Sequence, residues 1–294
     1  MLNKQKVGLA LGAGGARGLA HIGVLKILEQ EKLPIDFIAG SSAGALIGAM
    51  YALSPQVAEI ENRIVDYIHS PDYKQNRLDF FTKGKDAGGR FSHLVTFLKE
   101  KIIINLASSR ISLVSNKKLD QALKCLLEDT DIERTKIPFC AVASDLISGK
   151  EVVFDSGNIV KAIVASGSIP GFLPPVSVSD HLLLDGSVVQ SVPVQAVRQM
   201  GADIIIAVDV SPEMKEITEF DNILEIMART GQMTSRALTE LQLQQADIII
   251  RPRVGQYHWS EFSEVEKIII KGIQATKKVL PTIKKILLAH QLHP

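Results

Sequence analysis

Short apolar runs alternate with longer amphipathic runs along most of the 294-residue chain. The short runs are rich in Val, Ile and Leu and are bounded by polar residues or glycine, a pattern that predicts β-strands. They lie at residues 6–11, 35–40, 137–144, 151–154, 181–186, 202–210 and 247–252. The longer runs repeat their apolar positions at helical spacing and predict helices. They lie at residues 18–31, 43–53, 116–129, 192–200, 221–244 and 261–290.

This alternation predicts an α/β fold of three layers, with a mostly parallel central sheet flanked by helices. The run 202–210 is almost continuously apolar, which is typical of a strand buried on both faces. Residues 70–115 interrupt the rhythm with aromatic residues, charges and glycines. We interpret them as an insertion with some helix, either a lid or substrate-facing segment or an ordinary surface excursion. No linker-like stretch divides the chain, so we expect residues 1–294 to form a single domain.

Composition removes several classes of protein from consideration. The chain has 33 basic and 32 acidic residues, so no overall positive charge indicates a nucleic-acid partner. No apolar run approaches the about 18 residues that a membrane span needs. Lys4 and Lys6 precede a short apolar run, as in a signal peptide, but the run is too short for one. We therefore expect a cytoplasmic protein, with peripheral contact at the inner face of the membrane as a further hypothesis.

Two smaller features leave alternatives open. The C-terminal segment 261–290 carries six lysines beside apolar positions and predicts either helices packed on the core or contact with an anionic membrane. Pro281 is expected to kink or divide this segment. Cys125 and Cys140 both lie in apolar runs without the spacing of a metal site, which favours buried free thiols.

The glycine-rich stretch LGAGGARG, residues 11–18, follows the first predicted strand and precedes the first helix. A phosphate-binding P-loop is excluded because Leu19, not lysine, follows Gly18. A dinucleotide-binding loop fits only loosely, because Arg17 stands where its third glycine belongs, and it leaves a nicotinamide dehydrogenase as one alternative. Otherwise the stretch is a simple tight turn or an oxyanion cradle, in which the N–H groups of Gly14 and Gly15 act as donors.

The stretch GSSAG, residues 40–44, lies between a predicted strand and a predicted helix. This is the setting of a nucleophile elbow, which would expose the hydroxyl of Ser42. Gly40 and Gly44 permit the close packing of such a turn, and Ala43 can contribute an oxyanion N–H group. Ser41 is out of register with both glycines and is interpreted as a neighbour that caps the next helix.

A serine nucleophile needs a base, and the chain offers histidines and carboxylates. None of the seven histidines, at positions 21, 69, 93, 181, 258, 290 and 293, has the context of a triad loop, although His258 is the best candidate. His21 is expected to pack or cap. Asp185 precedes Gly186 at the end of a predicted strand, and we expect it to share the carboxyl edge of a parallel sheet with Ser42. Asp145 and Asp209 are rival carboxylates near strand ends.

Five ordered motifs together resemble the patatin-like phospholipase family, in particular its compact bacterial members. They are GAGGARG (12–18), GSSAG (40–44), ASDLISG (143–149), ASGSIPGFLPP (165–175) and DGS (185–187). They cover roughly residues 6–210. Ala13 and Ser187 depart from the usual family pattern, but neither replaces a reacting group.

The resemblance implies a patatin-like hydrolase fold and a Ser–Asp dyad without histidine. Ser42 would be the nucleophile and Asp185 the proton acceptor. Gly14 and Gly15 would form the oxyanion hole, with Arg17 steadying their loop. Supporting positions of the motifs are Gly12, Gly18, Gly40, Gly44 and Gly186.

The sequence therefore predicts a serine acyl-ester hydrolase, a phospholipase A, lysophospholipase or carboxylesterase, acting on an acyl lipid or lysophospholipid. No cofactor, metal ion or nucleic-acid partner is expected. The alternative from another class is a regulatory or lipid-binding protein whose hydrolase site is intact but little used.

Overall fold

A computed structural model of the chain describes residues 5–75, 112 and 115–292. Its strands are β1 Val7–Leu11, β2 Phe37–Ser41, β3 Phe139–Asp145, β4 Glu151–Phe154, β5 Val176–Val178, β6 His181–Asp185, β7 Ile204–Val208 and β8 Ile248–Ile250. Its helices are α1 Ala20–Gln30, α2 Ala43–Leu53, α3 Val57–His69, α4 Pro71–Gln75, α5 Asn116–Leu126, α6 Ile159–Ser166, α7 Val194–Gln199, α8 Ile223–Leu243 and α9 Val265–Leu292. Most of the predicted insertion at 70–115 lies outside the described residues.

The strands form one eight-stranded sheet in the order β5-β6-β3-β2-β1-β7-β8, with β4 also paired to β3. The strands β3, β2, β1, β7 and β8 are all parallel to one another. The β3–β4, β3–β6 and β5–β6 pairs are antiparallel. The predicted mostly parallel sheet is therefore confirmed, and its antiparallel part lies on one side of β3.

Both faces of the sheet are covered by helices, as predicted for three layers. The strands β1, β2, β3 and β7 are buried along their whole length, as expected for strands packed on two sides. On one face α1, α2, α3 and α9 contribute to a large apolar cluster that includes Leu9, Ile22 and Ile268. On the other face α7 packs through Val194 and Val197. Burial of apolar side chains on both faces is the main stabilising contribution to this arrangement.

The basic C-terminal segment packs on the protein. Its apolar side chains Val265, Ile268 and Ile283 are buried against the core, while Lys284 pairs with Glu31 at 2.6 Å on the outer side. Pro281 does not divide the segment, because α9 continues through it as one helix. Proline removes one backbone hydrogen bond, and burial on both sides of it keeps the helix together. Within the described ranges, no helix is long and apolar enough to cross a membrane.

Three elements and one cysteine differ from the sequence analysis. The helices α3 and α6 and the three-residue strand β5 are absent from the predicted elements. Strand β5 is too short to show an alternating pattern. Helix α6 lies mostly between the predicted strand at 151–154 and the motif at 165–175, in a stretch without a predicted element. Cys140 is buried in β3 as expected, but Cys125 is exposed, because it falls on the outer side of the amphipathic helix α5.

The helices α1 and α9 pack closely through Gly23 of α1 and Gly272 of α9. A Cβ atom on Gly272 would lie 2.0 Å from the carbonyl oxygen of Ala20, a backbone atom that cannot move aside. We expect Gly272→Ala to lower the free energy of unfolding by about 2 kcal/mol, because overpacking outweighs the gain in helix propensity. Urea denaturation followed by circular dichroism measures this change.

The matched control for this change is Gly231→Ala in α8. A Cβ atom at Gly231 meets nothing within 4 Å, so only helix propensity changes. We expect that variant to be more stable by about 0.5–1 kcal/mol. Equal effects of the two substitutions would contradict the close α1–α9 contact.

Candidate active site

Ser42 occupies a sharp turn between a strand and a helix. Strand β2 ends at Ser41 and α2 begins at Ala43, and Ser42 between them has φ +53° and ψ −120°. This conformation is strained for a residue with a side chain and persists only where neighbouring groups enforce it. The Ser42 carbonyl accepts hydrogen bonds from Ala45 N–H at 2.9 Å and Leu46 N–H at 3.1 Å, which start α2. The residue is 7% exposed, so its hydroxyl has limited access to solvent.

The glycines of this turn are required by close packing. A Cβ atom on Gly44 would lie 2.1 Å from the carbonyl oxygen of Leu11 in β1. On Gly40 it would lie 2.4 Å from the Cα atom of Ala45, the third residue of α2. On Gly18 it would lie 2.5 Å from the Cβ atom of Ala43. The turn around Ser42 is thus pressed against the end of β1 and the glycine loop.

The glycine loop leaves two backbone N–H groups available beside Ser42. Gly12 N–H donates to the Val208 carbonyl at 3.0 Å, and Ala13 N–H to the Ser191 carbonyl at 2.8 Å. The N–H groups of Gly14 and Gly15 make no backbone hydrogen bond in the part of the chain that the structure describes. Gly15 has φ +56°, a conformation that glycine adopts without strain. These two groups can therefore donate to a ligand.

Two side chains hold the glycine loop from behind. Arg17 Nε donates to the Gly14 carbonyl at 3.3 Å, in keeping with the steadying role that the resemblance implies. His21 is fully buried, and its Nε2 lies 2.7 Å from the Gly12 carbonyl. Burial lowers the pKa of His21 to about 4, so the neutral ring donates from Nε2 near neutral pH. His21 therefore anchors the loop, a contact that its place on an apolar helix face did not reveal.

Asp185 lies at the end of β6 and is only 2% exposed. Its Oδ1 accepts a hydrogen bond from Ser187 N–H at 2.8 Å, and the carboxylate lies close enough to Ser42 for the serine side chain to lower its pKa. Burial raises the pKa of Asp185, and the hydrogen bonds from Ser42 and Ser187 offset part of that rise. The backbone carbonyl of Asp185 accepts from Ser144 Oγ at 2.8 Å. The carboxylate is thus buried and held in place close to Ser42.

Asp185 lies close to Ser42, but not through the parallel-sheet geometry that the sequence analysis expects. Asp185 was expected at the carboxyl edge of a parallel sheet, but β6 runs antiparallel to β3. Register brings the two residues together. Ser41 is paired with Val142 in β3, and the next residue of β3, Ala143, is paired with Asp185. Strand β6 therefore runs in the direction opposite to β2 and β3, and its last residue, Asp185, lies level with the end of β2 before Ser42.

Gly186 permits this approach. A Cβ atom there would lie 2.2 Å from the Val142 carbonyl oxygen and 2.6 Å from Ser41 Oγ. The buried hydroxyl of Ser41 has no hydrogen-bond partner within the described chain and does not cap α2, contrary to the interpretation from sequence.

The rival carboxylates are occupied elsewhere. Asp145 Oδ2 accepts from Ser148 Oγ at 2.6 Å and lies 3.0 Å from His181 Nδ1. These hydrogen bonds hold the pKa of Asp145 well below its usual range. Asp209 pairs with Arg236 Nη1 at 3.0 Å and Arg251 Nε at 3.4 Å. Both carboxylates stabilise loops that follow strands.

His258, the histidine proposed from sequence for a triad, is engaged within its own loop. Its Nδ1 lies 2.8 Å from Ser260 Oγ, and its backbone N–H donates to Glu261 at 3.0 Å. Among the described residues, those that shift the pKa of the Asp185 carboxylate are Ser42 and Ser187, and neither is a histidine.

An apolar cavity of about 740 Å³, including its open mouth, begins at the glycine loop and the residue after Ser42. Its walls come from the 3₁₀ turn after the loop, from α2, α3, α4 and α5, and from Phe262. The lining includes Gly15, Ala43, Ile64 and Leu123. Sequence reasoning missed this cavity because its walls come from separate segments that only the fold brings together.

The chain belongs to the patatin-like phospholipase family. The sequence model of that family matches residues 9–198, more than half of the chain, and contains all five motifs. This match confirms the resemblance on which the sequence analysis rested. It gives no support to the dinucleotide-binding alternative.

Individual relatives agree with the assignment. An uncharacterized NTE family protein of Mycobacterium tuberculosis is 34% identical over 212 residues, which cover 71% of this chain and 50% of the relative. Lysophospholipase NTE1 of Kluyveromyces lactis is 28% identical over 297 residues, 92% of this chain and 19% of the relative. Among solved structures, VipD from Legionella pneumophila is similar, with a TM-score of 0.49 and 14% identity, over 95% of this chain and 67% of that one. The chain thus spans half or less of the length of these two sequence relatives.

The raised pKa of Asp185 leads to a prediction about stability. Because the folded state disfavours the ionised carboxylate, its charge costs folding free energy at pH values above the raised pKa. We expect Asp185→Asn to increase the free energy of unfolding at pH 7 by about 1 kcal/mol, as is usual when a destabilised site residue is replaced. Urea denaturation at several pH values measures the difference between the two proteins.

The sign of the pH dependence is the check on this prediction. The advantage of Asp185→Asn should shrink as the pH falls through the raised pKa, because the wild-type carboxyl then becomes neutral as well. A variant that is less stable than wild type at pH 7, or a difference independent of pH, would contradict the burial of a charged Asp185.

Proposed function

We propose that the protein is a serine hydrolase that cleaves carboxylic esters of acyl lipids, with a phospholipid or lysophospholipid as substrate. The observation that carries the proposal is that Ser42, at a strained turn, lies close to the buried Asp185 carboxylate, while the next residue, Ala43, lines an apolar cavity. Membership of the patatin-like phospholipase family supports it. The relative named lysophospholipase NTE1 supports the substrate class.

In the proposed acylation step, Asp185 accepts the proton of Ser42 Oγ while that oxygen attacks the ester carbonyl carbon. A carboxylate with a raised pKa is a stronger base than an ordinary aspartate, which makes this transfer more favourable near neutral pH. The C–O bond to the alcohol then breaks, and Asp185 returns the proton to the departing oxygen. The acyl group remains bound to Ser42.

The tetrahedral intermediate places a negative charge on the former carbonyl oxygen. In the proposal, the N–H groups of Gly14 and Gly15 donate to this oxyanion, together with that of Ala43 at the N-terminus of α2. Fixed backbone donors need little reorganisation during the reaction, and the partial positive charge of the helix N-terminus adds to their effect.

Deacylation repeats these steps with water. Asp185 accepts a proton from a water molecule, whose oxygen attacks the acyl carbon, and the same N–H groups hold the second oxyanion. The Ser42–acyl bond breaks, Ser42 recovers a proton, and a fatty acid leaves. No metal ion or cofactor enters the proposed mechanism.

The apolar cavity gives the acyl chain a place to bind. It begins at Gly15 and Ala43, beside the proposed oxyanion donors, and its lining is almost entirely apolar. Burial of acyl methylene groups there contributes about 0.8 kcal/mol each. This contribution favours long-chain esters over short ones, so we propose a lipid rather than a small ester as substrate.

The serine assignment is tested by a pair of neighbouring variants. We expect Ser42→Ala to lower the hydrolysis of acyl esters and lysophospholipids by at least about 10³-fold, because the nucleophile is lost. Asp185→Asn should have a similar effect, because the base is lost. Ser41→Ala is the matched control, since the Ser41 hydroxyl is buried and has no partner in the described chain.

Ser41→Ala should retain activity close to that of wild type, with circular dichroism showing that all three variants are folded. Full activity of Ser42→Ala or Asp185→Asn would overturn the proposed dyad. A folded wild-type protein that hydrolyses no acyl ester would instead favour a regulatory or lipid-binding role.

The acyl site is tested by filling the cavity. Ala122 lines it from α5, and Ala122→Phe adds bulk to the cavity without changing Ser42 or Asp185. We expect at least about a tenfold loss of kcat/KM for a palmitoyl ester, with a much smaller loss for a butyryl ester, because only the long chain needs the filled volume. The p-nitrophenyl esters allow both to be measured in one assay.

Ala228→Phe on the exposed side of α8 is the control for added bulk, since Ala228 does not line the cavity. It should leave the ratio between the two esters unchanged. An Ala122→Phe variant with an unchanged ratio would show that the acyl chain binds elsewhere.

A further inference from the structure

One buried hydroxyl beside the site has no part in the proposed reaction. Ser166 is the last residue of α6, in the stretch ASGSIPGFLPP, and is fully buried. Its Oγ accepts a hydrogen bond from the backbone N–H of Ser42 at 2.9 Å. The same hydroxyl donates to the carbonyl of Val142 in β3 at 2.6 Å. The side chain thus connects α6, β3 and the turn that carries Ser42.

The direction of these hydrogen bonds is determined by the groups involved. A carbonyl can only accept and a backbone N–H can only donate, so the hydroxyl proton points to Val142 and a lone pair points to Ser42. This hydrogen bond fixes the orientation of the peptide group between Ser41 and Ser42. Because φ of Ser42 is the rotation about its N–Cα bond, the contact helps to set that angle. A positive φ at a residue with a side chain persists only where surrounding contacts enforce it. The Ser166 hydroxyl supplies one such contact.

The Val142 carbonyl also lies against the other half of the site. A Cβ atom on Gly186 would be 2.2 Å from its oxygen, so the backbone that follows Asp185 is packed directly on this carbonyl. Val142 is in turn paired with Ser41 in the sheet. One carbonyl group therefore contacts the hydroxyl that holds Ser42 and the residue that follows Asp185.

We propose that Ser166 is a positioning residue for the ester hydrolysis. It holds the strained turn at Ser42 in register with Asp185 and does not touch the substrate. This inference rests on the proposed function, because it assigns Ser166 a part in aligning the proposed nucleophile with its base.

The test compares Ser166→Ala with wild type on a lysophospholipid and a p-nitrophenyl ester. Without the hydroxyl, Ser42 N–H loses its acceptor, and the nucleophile becomes less well aligned. We expect kcat to fall about 10²-fold with KM changed by less than about twofold, because displacement of the reacting atoms by about 1 Å has effects of this size. The acid limb of the pH–rate profile should not move, since Ser166 does not contact the Asp185 carboxylate.

Ser168→Ala is the matched control. Ser168 is also fully buried, and its hydroxyl donates to the Val164 carbonyl at 2.7 Å. Its contact with the site is a backbone one, Asp185 N–H to the Ser168 carbonyl at 2.9 Å, which Ser168→Ala leaves in place. Both variants lose one buried hydroxyl and one donated hydrogen bond, so both should lower Tm by a few degrees. Only Ser166→Ala should lose kcat. A wild-type kcat in Ser166→Ala, or the same loss in both variants, would overturn the inference.

A measurement on the wild-type protein keeps the inference testable if Ser166→Ala does not fold. Hydrogen exchange followed by NMR should show Ser42 N–H protected to the level of the central strands, because its acceptor is buried. Rapid exchange of this amide would overturn the inference. Absence of ester hydrolysis in a wild-type protein whose Ser42 amide is protected would count against the proposed function and leave the Ser42–Ser166 contact established.

Discussion

The pairing of β6 with β3 is the constraint on which the rest of the site depends. Because Ala143 is paired with Asp185 and Val142 with Ser41, the two proposed reacting residues end at the same level of the sheet. A shift of one residue would turn the Asp185 side chain to the opposite face. The close fit of Gly186 against Val142 and Ser41 makes such a shift costly, since Gly186 has no room for a Cβ atom. In the proposed dyad, backbone register therefore places the base close to the nucleophile.

The site combines features that cost folding free energy with a core that offsets them. Ser42 has a strained backbone, and Asp185 is a buried carboxylate whose pKa is raised by burial. Strain of this kind costs about 1–3 kcal/mol per residue. Apolar packing of β1, β2, β3 and β7 between two layers of helices provides the compensating stability. The same rigidity keeps the glycine loop, which carries the N–H groups of Gly14 and Gly15, packed against the start of α2.

Much of this structure could be predicted from sequence because its signals are local. The apolar runs identified the central strands, and the glycine motifs identified the two turns that meet at Ser42. The expected position of Asp185 at a parallel-sheet edge was wrong in its premise, because β6 pairs antiparallel with β3 and with β5, a strand too short to show a pattern. The apolar cavity and the Ser166 contact were not predicted, because they join segments that are far apart in the sequence. Ser166 lies 124 residues from Ser42 in sequence, and only the fold brings them together.

In the proposed mechanism Ser42 is the nucleophile and depends on a buried carboxylate for its reactivity. To test this, the protein is reacted with an alkyl fluorophosphonate over a range of pH, and the adduct is located by peptide mass spectrometry. We expect one adduct, on Ser42, whose rate of formation falls as the pH falls through the raised pKa of Asp185. An adduct on another residue, or a rate at Ser42 that does not depend on Asp185, would contradict it.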